Sequence, residues 1–262
     1  MKKVLCAMLL SAVAAVLPGE EYQIGTSGWE SLKNTSEKEG TLVVAGNTML
    51  KSKEFYPVDP AKTYKLSATV RNADGSTPAS LFIGFMPATA DKKFISAVMV
   101  TPVPAVTGEL AAACEAKDTV IKVKPDAGSD WNPGKQWWSV AFDAKADLSD
   151  LPNRELTAKI KSIEMKDGIC EISLTGPACF KKEAGTRVRI HAGGGSFMYP
   201  VLAGKPAPSD WATFSGTVKG VSDGYATKAW PKPATLCQVI ILANWDNPKS
   251  AIELKDVKLN IE

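Results

Sequence analysis

"AIELKDVKLNIE", residues 251–262, carries its apolar residues in two parities. Ile252 and Leu254 share one; Val257, Leu259 and Ile261 share the other. Side chains along a strand alternate between faces, so a regular strand would send one of these sets to solvent. One extra residue at Lys255–Asp256, a β-bulge, returns both sets to the same face. The stretch therefore predicts one long, half-buried strand with a bulge or kink at Lys255–Asp256, and so a sheet that covers a core.

Working outward, "TYKLSATVR" (63–71) alternates without a break, with Tyr64, Leu66, Ala68 and Val70 on one face and Lys65, Ser67, Thr69 and Arg71 on the other. This is the period-two pattern of a half-buried strand. "TLVVAG" (41–46), "SLFIGFM" (80–86) and "FISAVMVTPV" (94–103) read as more apolar strands suited to the middle of a sheet. Pro57 and Pro60 in "EFYPVDPAKTY" (54–64) mark a turn, because proline cannot donate to a central ladder. The middle of the chain holds a second run of strand patterns: "TVIKVK", "QWWSVAF", "LTAKIKSIEM", "GICEISL" and "TRVRIHA". In "MKDGI" (165–169), Asp167–Gly168 supplies the positive φ angles of a tight hairpin. "TPVPAVTG" (101–108) and "AGGGS" (192–196) flank this block and read as linkers, one stiffened by proline and one loosened by glycine. "GELAAACEAKD" (108–118) has helical composition but is short. The expected organisation is an all-β chain in which 20–105 and 197–262 form one discontinuous domain and 106–195 is a small β domain inserted into it.

Composition narrows the function. At 45% hydrophobic and 23% charged residues the chain is globular rather than disordered. Residues 1–17, "MKKVLCAMLLSAVAAVL", place two lysines before a short apolar run with small residues, the layout of a secretory signal peptide. That run is too short for a membrane span of about 20 residues, and Cys6 stands too near the start for a lipoprotein cleavage site. Removing Lys2 and Lys3 takes the formal charge from +3 almost to balance. That argues against nucleic acid as a partner, since such binders concentrate basic charge. The expected location is secreted, periplasmic or at the cell surface. Disulfides are permitted there among Cys114, Cys170, Cys179 and Cys237. Cys114–Cys179 is one option, and Cys237, inside an apolar strand, reads as a buried thiol. No CxxC spacing occurs and His191 is the chain's one histidine, so the residues do not spell a zinc site.

Four segments, in order, resemble the galactose-binding-like β-sandwich, especially the carbohydrate-binding modules associated with xylanases and cellulases. They are "YQIGTSGWES" ending near Trp29, "EFYPVDPAKTYKLSATVRNADG", "DWATFSGTVKG" with Trp211, and "LKDVKLNIE". The resemblance implies a jelly roll of two antiparallel sheets and a non-catalytic role in sugar binding. It also implies a structural calcium near the last strand, usually held by paired acids. Here the matching pair is Lys255–Asp256, which leaves Asp256 as the metal candidate with half of its pair replaced. The central block more loosely resembles small β-barrel modules of exported and phage-structural proteins.

Candidate binding residues are aromatic. Trp230 and Tyr225 in "YATKAWPKPAT" stand in a Lys/Pro loop outside any alternating pattern, where an exposed ring on a stiff loop would stack on the apolar face of a pyranose. Trp245 follows a strand, with Asn244, Asp246 and Asn247 beside it to bond hydroxyls. Trp29 and Trp211 match fold positions and read as structural. In "WNPGKQWWSV" (131–140), adjacent Trp137 and Trp138 would point to opposite faces of a strand, so packing is favoured over a flat platform. Asp143, Asp147 and Asp150 lie in a polar loop and read as solvated acids rather than a glycosidase pair. Arg187, Arg189 and His191 read as an outward polar row opposite Val188 and Ile190. The expectation is a secreted carbohydrate-binding protein without catalytic residues or cofactor. The alternatives are a structural or adhesive surface protein that meets a partner through the insert, and a glycan-active enzyme.

Overall fold

The computed structural model describes residues 19–131 and 137–262; the expected export signal lies outside the described residues. Before the middle of the chain come β1 (Glu20–Ile24), β2 (Thr35–Lys38), β3 (Thr41–Ala45), β4 (Thr48–Lys51), β5 (Tyr56–Pro57), β6 (Tyr64–Asn72) and β7 (Ser80–Ala88). A single helical turn, α1 (Ala97–Val100), leads to β8 (Pro102–Leu110), β9 (Val120–Pro125), β10 (Trp138–Phe142), β11 (Ile160–Lys166), β12 (Ile169–Leu174) and β13 (Arg187–Ala192). The chain ends with β14 (Met198–Pro206), β15 (Ala212–Val218), β16 (Val221–Ser222), β17 (Trp230–Pro231), β18 (Leu236–Ala243) and β19 (Ala251–Ile261).

The protein is an all-β sandwich. One sheet runs β15-β6-β19-β3-β2 with β1 added along β19; the other runs β14-β7-β18-β4 with β5 added on β18. Each therefore mixes strands from both ends of the chain. The inward residues of both sheets form one apolar core, including Leu66, Val70, Leu81, Ile83, Phe85, Val239, Ile241 and Leu259. Strands β8 to β13 form a separate sheet, β10-β13-β8-β9-β12-β11, with its own core around Ile121, Val123, Val140, Phe142, Ile172 and Ile190.

The bulge stands where the parity of the last strand places it. Lys255 pairs with Thr69 and Lys258 with Ser67, so two residues, Asp256 and Val257, face one on β6. Ile252, Leu254, Val257, Leu259 and Ile261 are all buried as a result. On its other edge β19 pairs with β3 before the bulge and with β1 after it. Asp256 takes a left-handed conformation (φ 49°), which aspartate tolerates better than most residues. The hairpin β11–β12 turns on Asp167 and Gly168, both at positive φ.

Two expectations change in the connection to the middle sheet. "FISAVMVTPV" is not one strand: Ala97–Val100 form α1, with Ala97 and Val100 buried. Its carbonyls find partners across the seam, where Val98 O pairs with the His191 ring and Met99 O accepts from Asn153 N–H. "TPVPAVTG" is strand rather than linker. Pro102 and Pro104 sit where the β8–β13 register is irregular, so their missing N–H groups leave no ladder bond unmade. "GELAAACEAKD" forms no helix; its first residues finish β8. All four described cysteines are free, including Cys114 and Cys179, and Cys237 is fully buried. Among the described residues, no helix is long and apolar enough to cross a membrane.

Candidate functional site

Where the sandwich meets the middle sheet, the chain brings three aromatic side chains around one cleft of about 340 Å3. Phe197 and Tyr199 have the same parity at the start of β14; Tyr225 comes from the loop between β16 and β17. Their rings are held by neighbours. Phe197 packs on Phe94 (5.2 Å between centroids) and on Tyr199 (6.2 Å), and Tyr199 packs on Phe82 (5.0 Å). The Tyr225 hydroxyl donates to Ser196 O at 3.2 Å. Ala97, Thr101, Ala203, Thr227 and the backbone of Gly193–Gly194–Gly195 complete the lining. Thr101 Oγ1 is buried there without a hydrogen-bond partner. Burial pushes the Tyr199 hydroxyl up to about 12 and raises that of Tyr225 further, so both rings stay neutral.

A buried polar network braces the seam beside this cleft. Arg189 donates from Nη2 to Asp150 Oδ2 (2.8 Å), from Nη1 to Lys145 O (3.1 Å) and from Nε to His191 Nε2 (3.0 Å). Because His191 Nε2 accepts, its Nδ1–H donates to Val98 O at 2.7 Å. Burial, reinforced by the Arg189 charge, holds His191 down to about 4, so the ring is neutral. Burial pulls the Asp150 carboxyl up, but the Asn153 amide, the Lys145 N–H and the Arg189 charge outweigh it and leave it below the usual range. Arg154 crosses the same seam to Phe94 O (2.7 Å) and Lys93 O (3.2 Å). These positions correct two readings. Arg189 and His191 are buried, with only Arg187 outward, because α1 and the loop after β10 cover that face of β13. Asp150 is a buried ion-pair member, not a solvated acid. Asp143 pairs with Lys182, and Asp147 accepts from Ser149 N–H.

The expected sugar-binding residues divide. Tyr225 lines the cleft. Trp230 does not reach solvent: its indole is fully buried against Tyr64 (5.0 Å) and Phe85 (5.2 Å). The Lys/Pro loop turns back at β17, pairs with β16 and inserts the ring into the sandwich core. Trp245 is half exposed, but most polar groups beside it are engaged within the chain, while Asn244 Oδ1 is buried without a partner. Asn244 is buried at φ 56° and donates to Val44 O (3.0 Å) and Gly46 O (2.9 Å). Asp246 accepts from Ser80 N (2.6 Å) and Ser80 Oγ (2.7 Å), and Asn247 Oδ1 accepts from Lys249 N (3.1 Å). The group expected to bond hydroxyls instead closes a turn.

The other tryptophans have separate roles. Trp29 is core. Trp211 lies half exposed on the outer face of its sheet, with Arg71 5.0 Å and Lys255 4.2 Å from the ring centre. Trp131 is buried and donates to Thr107 O at 3.0 Å; Trp137 is exposed, with Lys159 Nζ 3.6 Å from its ring; Trp138 is half buried at the head of β10. Residues 132–136 between them lie outside the described residues.

Asp256 borders a small cavity at the bulge, lined also by Gln23, Gly25, Thr26 and Lys255. Asp256 is the one carboxylate in that lining, and among the described residues no three His, Cys, Asp or Glu side chains are grouped to hold a metal. A calcium ion, which takes six to eight oxygens and favours several carboxylates, does not fit this donor set.

Phe197, Tyr199 and Thr101 were not singled out by sequence reasoning, and the glycines were read only as a linker. The available signal was an aromatic pair of one parity, one residue after a triglycine, in "GGGSFMYP" (193–200). Neither a family model nor a curated protein nor a solved structure matches this chain.

Proposed function

We propose that the protein is an exported, non-catalytic carbohydrate-binding protein and that the cleft at the seam is its binding site. The observation that carries this reading is the convergence of Phe197, Tyr199 and Tyr225 on one cleft. Aromatic faces suit the C–H face of a sugar ring. The volume falls at the small end of the roughly 300–1,000 Å3 typical of small-molecule sites. Among the described residues no carboxylate, histidine or cysteine lines the cleft, which supports holding a ligand rather than transforming it. Aromatic contacts contribute about 0.5–1.5 kcal/mol each beyond buried area, so a single site binds weakly.

The test is a glycan array probed with the purified protein, with Phe197→Ala and Tyr225→Ala in parallel. Binding that both variants lose, while their melting transitions remain cooperative, is the expected result. Binding to no glycan, or equal binding by both variants, would sink the assignment.

A further inference from the structure

Gly193, Gly194 and Gly195 line the cleft together, but they are glycines for different reasons. Gly193 has no room for a side chain: a Cβ there would lie 2.1 Å from the Trp137 carbonyl oxygen. That approach is used, since Gly193 N–H donates to Trp137 O at 2.6 Å. Gly194 and Gly195 face no such constraint. Neither has a positive φ angle. A Cβ on Gly194 would meet Ala97 Cβ at 3.4 Å and one on Gly195 would meet Phe197 O at 3.8 Å, both ordinary contacts. The fold would accept alanine at either position, and glycine there costs conformational entropy. Where neither turn geometry nor packing requires glycine, close approach of the backbone to a ligand is a use that glycine serves.

The rest of the lining describes that ligand. Ala97, Thr101, Phe197, Tyr199, Ala203, Tyr225 and Thr227 carry no charge. An ionised group entering the cleft would lose water and meet no counter-charge among these described lining residues, which is costly. The nearby charged pair, Arg189 and Asp150, is already satisfied.

We infer that Gly194 and Gly195 form the floor on which the ligand lies, that their lack of side chains sets the size of ring admitted, and that this ring is uncharged. The inference rests on the carbohydrate reading of the same cleft. It is tested by titrating the purified protein with uncharged gluco-, galacto-, manno- and xylo-oligosaccharides, and in a second arm with oligogalacturonate, sialylated and sulfated glycans. Gly195→Ala, Gly195→Val and Gly194→Ala are measured beside the wild type, with a thermal melt of each.

The expected result is binding of an uncharged sugar whose affinity changes little with salt. The loss should deepen from Gly195→Ala to Gly195→Val, reaching roughly ten- to two-hundred-fold, the range for a misfit of one or a few carbons in a pocket. The melting temperatures should stay at or above wild type, which separates a blocked site from a damaged fold. If an uncharged sugar binds the wild type and Gly195→Val equally, the floor is overturned while the binding site stands. Preference for the charged arm, abolished by Phe197→Ala, overturns the uncharged class but leaves the cleft as the site. Binding in neither arm overturns the carbohydrate reading and this inference with it.

Discussion

Trp230, Leu66 and Leu259 in the sandwich and Arg189, His191 and Asp150 at the seam are all withdrawn from water, yet by different chemistry. In the sandwich, alternating strands from both ends of the chain bury apolar side chains against each other. That attraction is non-directional and scales with the area buried. At the seam the buried groups are a guanidinium, a carboxylate and an imidazole, each satisfied by a particular partner at a particular distance. Such a network gives little net stability over an apolar substitute, but it penalises every arrangement in which a partner is missing. The contrast teaches that the sandwich supplies the folding energy, whereas the seam fixes the relative position of the two sheet systems and so the shape of the cleft.

The sharpest way to break this contrast is Arg189→Met. It leaves Asp150 buried without its cation and His191 Nε2 without a donor. The expected loss is about 3–5 kcal/mol in urea unfolding, as for other buried pairs stripped of one member. Replacing Arg189 and Asp150 together by Met and Asn, which keeps an acceptor for Lys145 N–H and Asn153 Nδ2, should recover much of that loss. No recovery in the double variant would mean that the seam is held by packing, like the sandwich.

Trp230 tests the other side. Trp230→Ala removes a ring from a dry core and should cost about 3–5 kcal/mol. Trp230→Phe should cost distinctly less, because the buried Nε1–H has no acceptor to lose. If the two variants were equally destabilised, Trp230 would be held by a polar contact after all.

pH sharpens the comparison further, because His191 is the chain's one histidine. Its folded pKa of about 4 lies below the unfolded value near 6.5. The unfolded chain therefore takes up a proton between these values that the folded chain refuses. The stabilisation is fully present above pH 6.5 and is lost as pH falls towards 4, about 3 kcal/mol in all and roughly 2 kcal/mol of it above pH 5. Arg189 and Asp150 face the ring, and Asp150, held below the usual carboxylate range, adds its own loss only in stronger acid. His191→Gln, which can accept from Arg189 and donate to Val98 O, should flatten the stability profile between pH 5 and 6.5. An unchanged slope in that variant would remove His191 as the cause.

The sequence made local geometry legible and left coverage unread. The bulge at Lys255–Asp256 and the turn at Asp167–Gly168 were both visible, because period-two parity and left-handed turn residues are properties of a few adjacent positions. The alternation of Arg187, Arg189 and His191 against Val188 and Ile190 was also correct as alternation. What it could not carry was that α1 and the loop after β10 would cover the polar face as well. Trp230 failed for the same reason: a ring in a Lys/Pro loop looks the same whether the loop projects or folds back. In the candidate site, Tyr225 was legible as an aromatic outside strand periodicity. Phe197 and Tyr199 looked like ordinary strand residues after a linker, and the cleft exists only once two distant sheets are placed side by side.

The smallest expected effect separates the turn after β18 from the cleft. Trp245 is 49% exposed, and its backbone is held independently of its ring, with Asn47 Nδ2 donating to Trp245 O and Trp245 N–H donating to Ser80 O. Asn244 and Asp246 hold the turn through their own hydrogen bonds. Trp245→Ala should therefore shift stability by no more than about 0.5 kcal/mol, as for surface substitutions away from special features. It should also leave glycan binding at the wild-type level, whereas Phe197→Ala loses it. Equal loss in both variants would put a second aromatic contact at the far end of the sandwich, and the division between a turn that closes on itself and a cleft that remains open would fail.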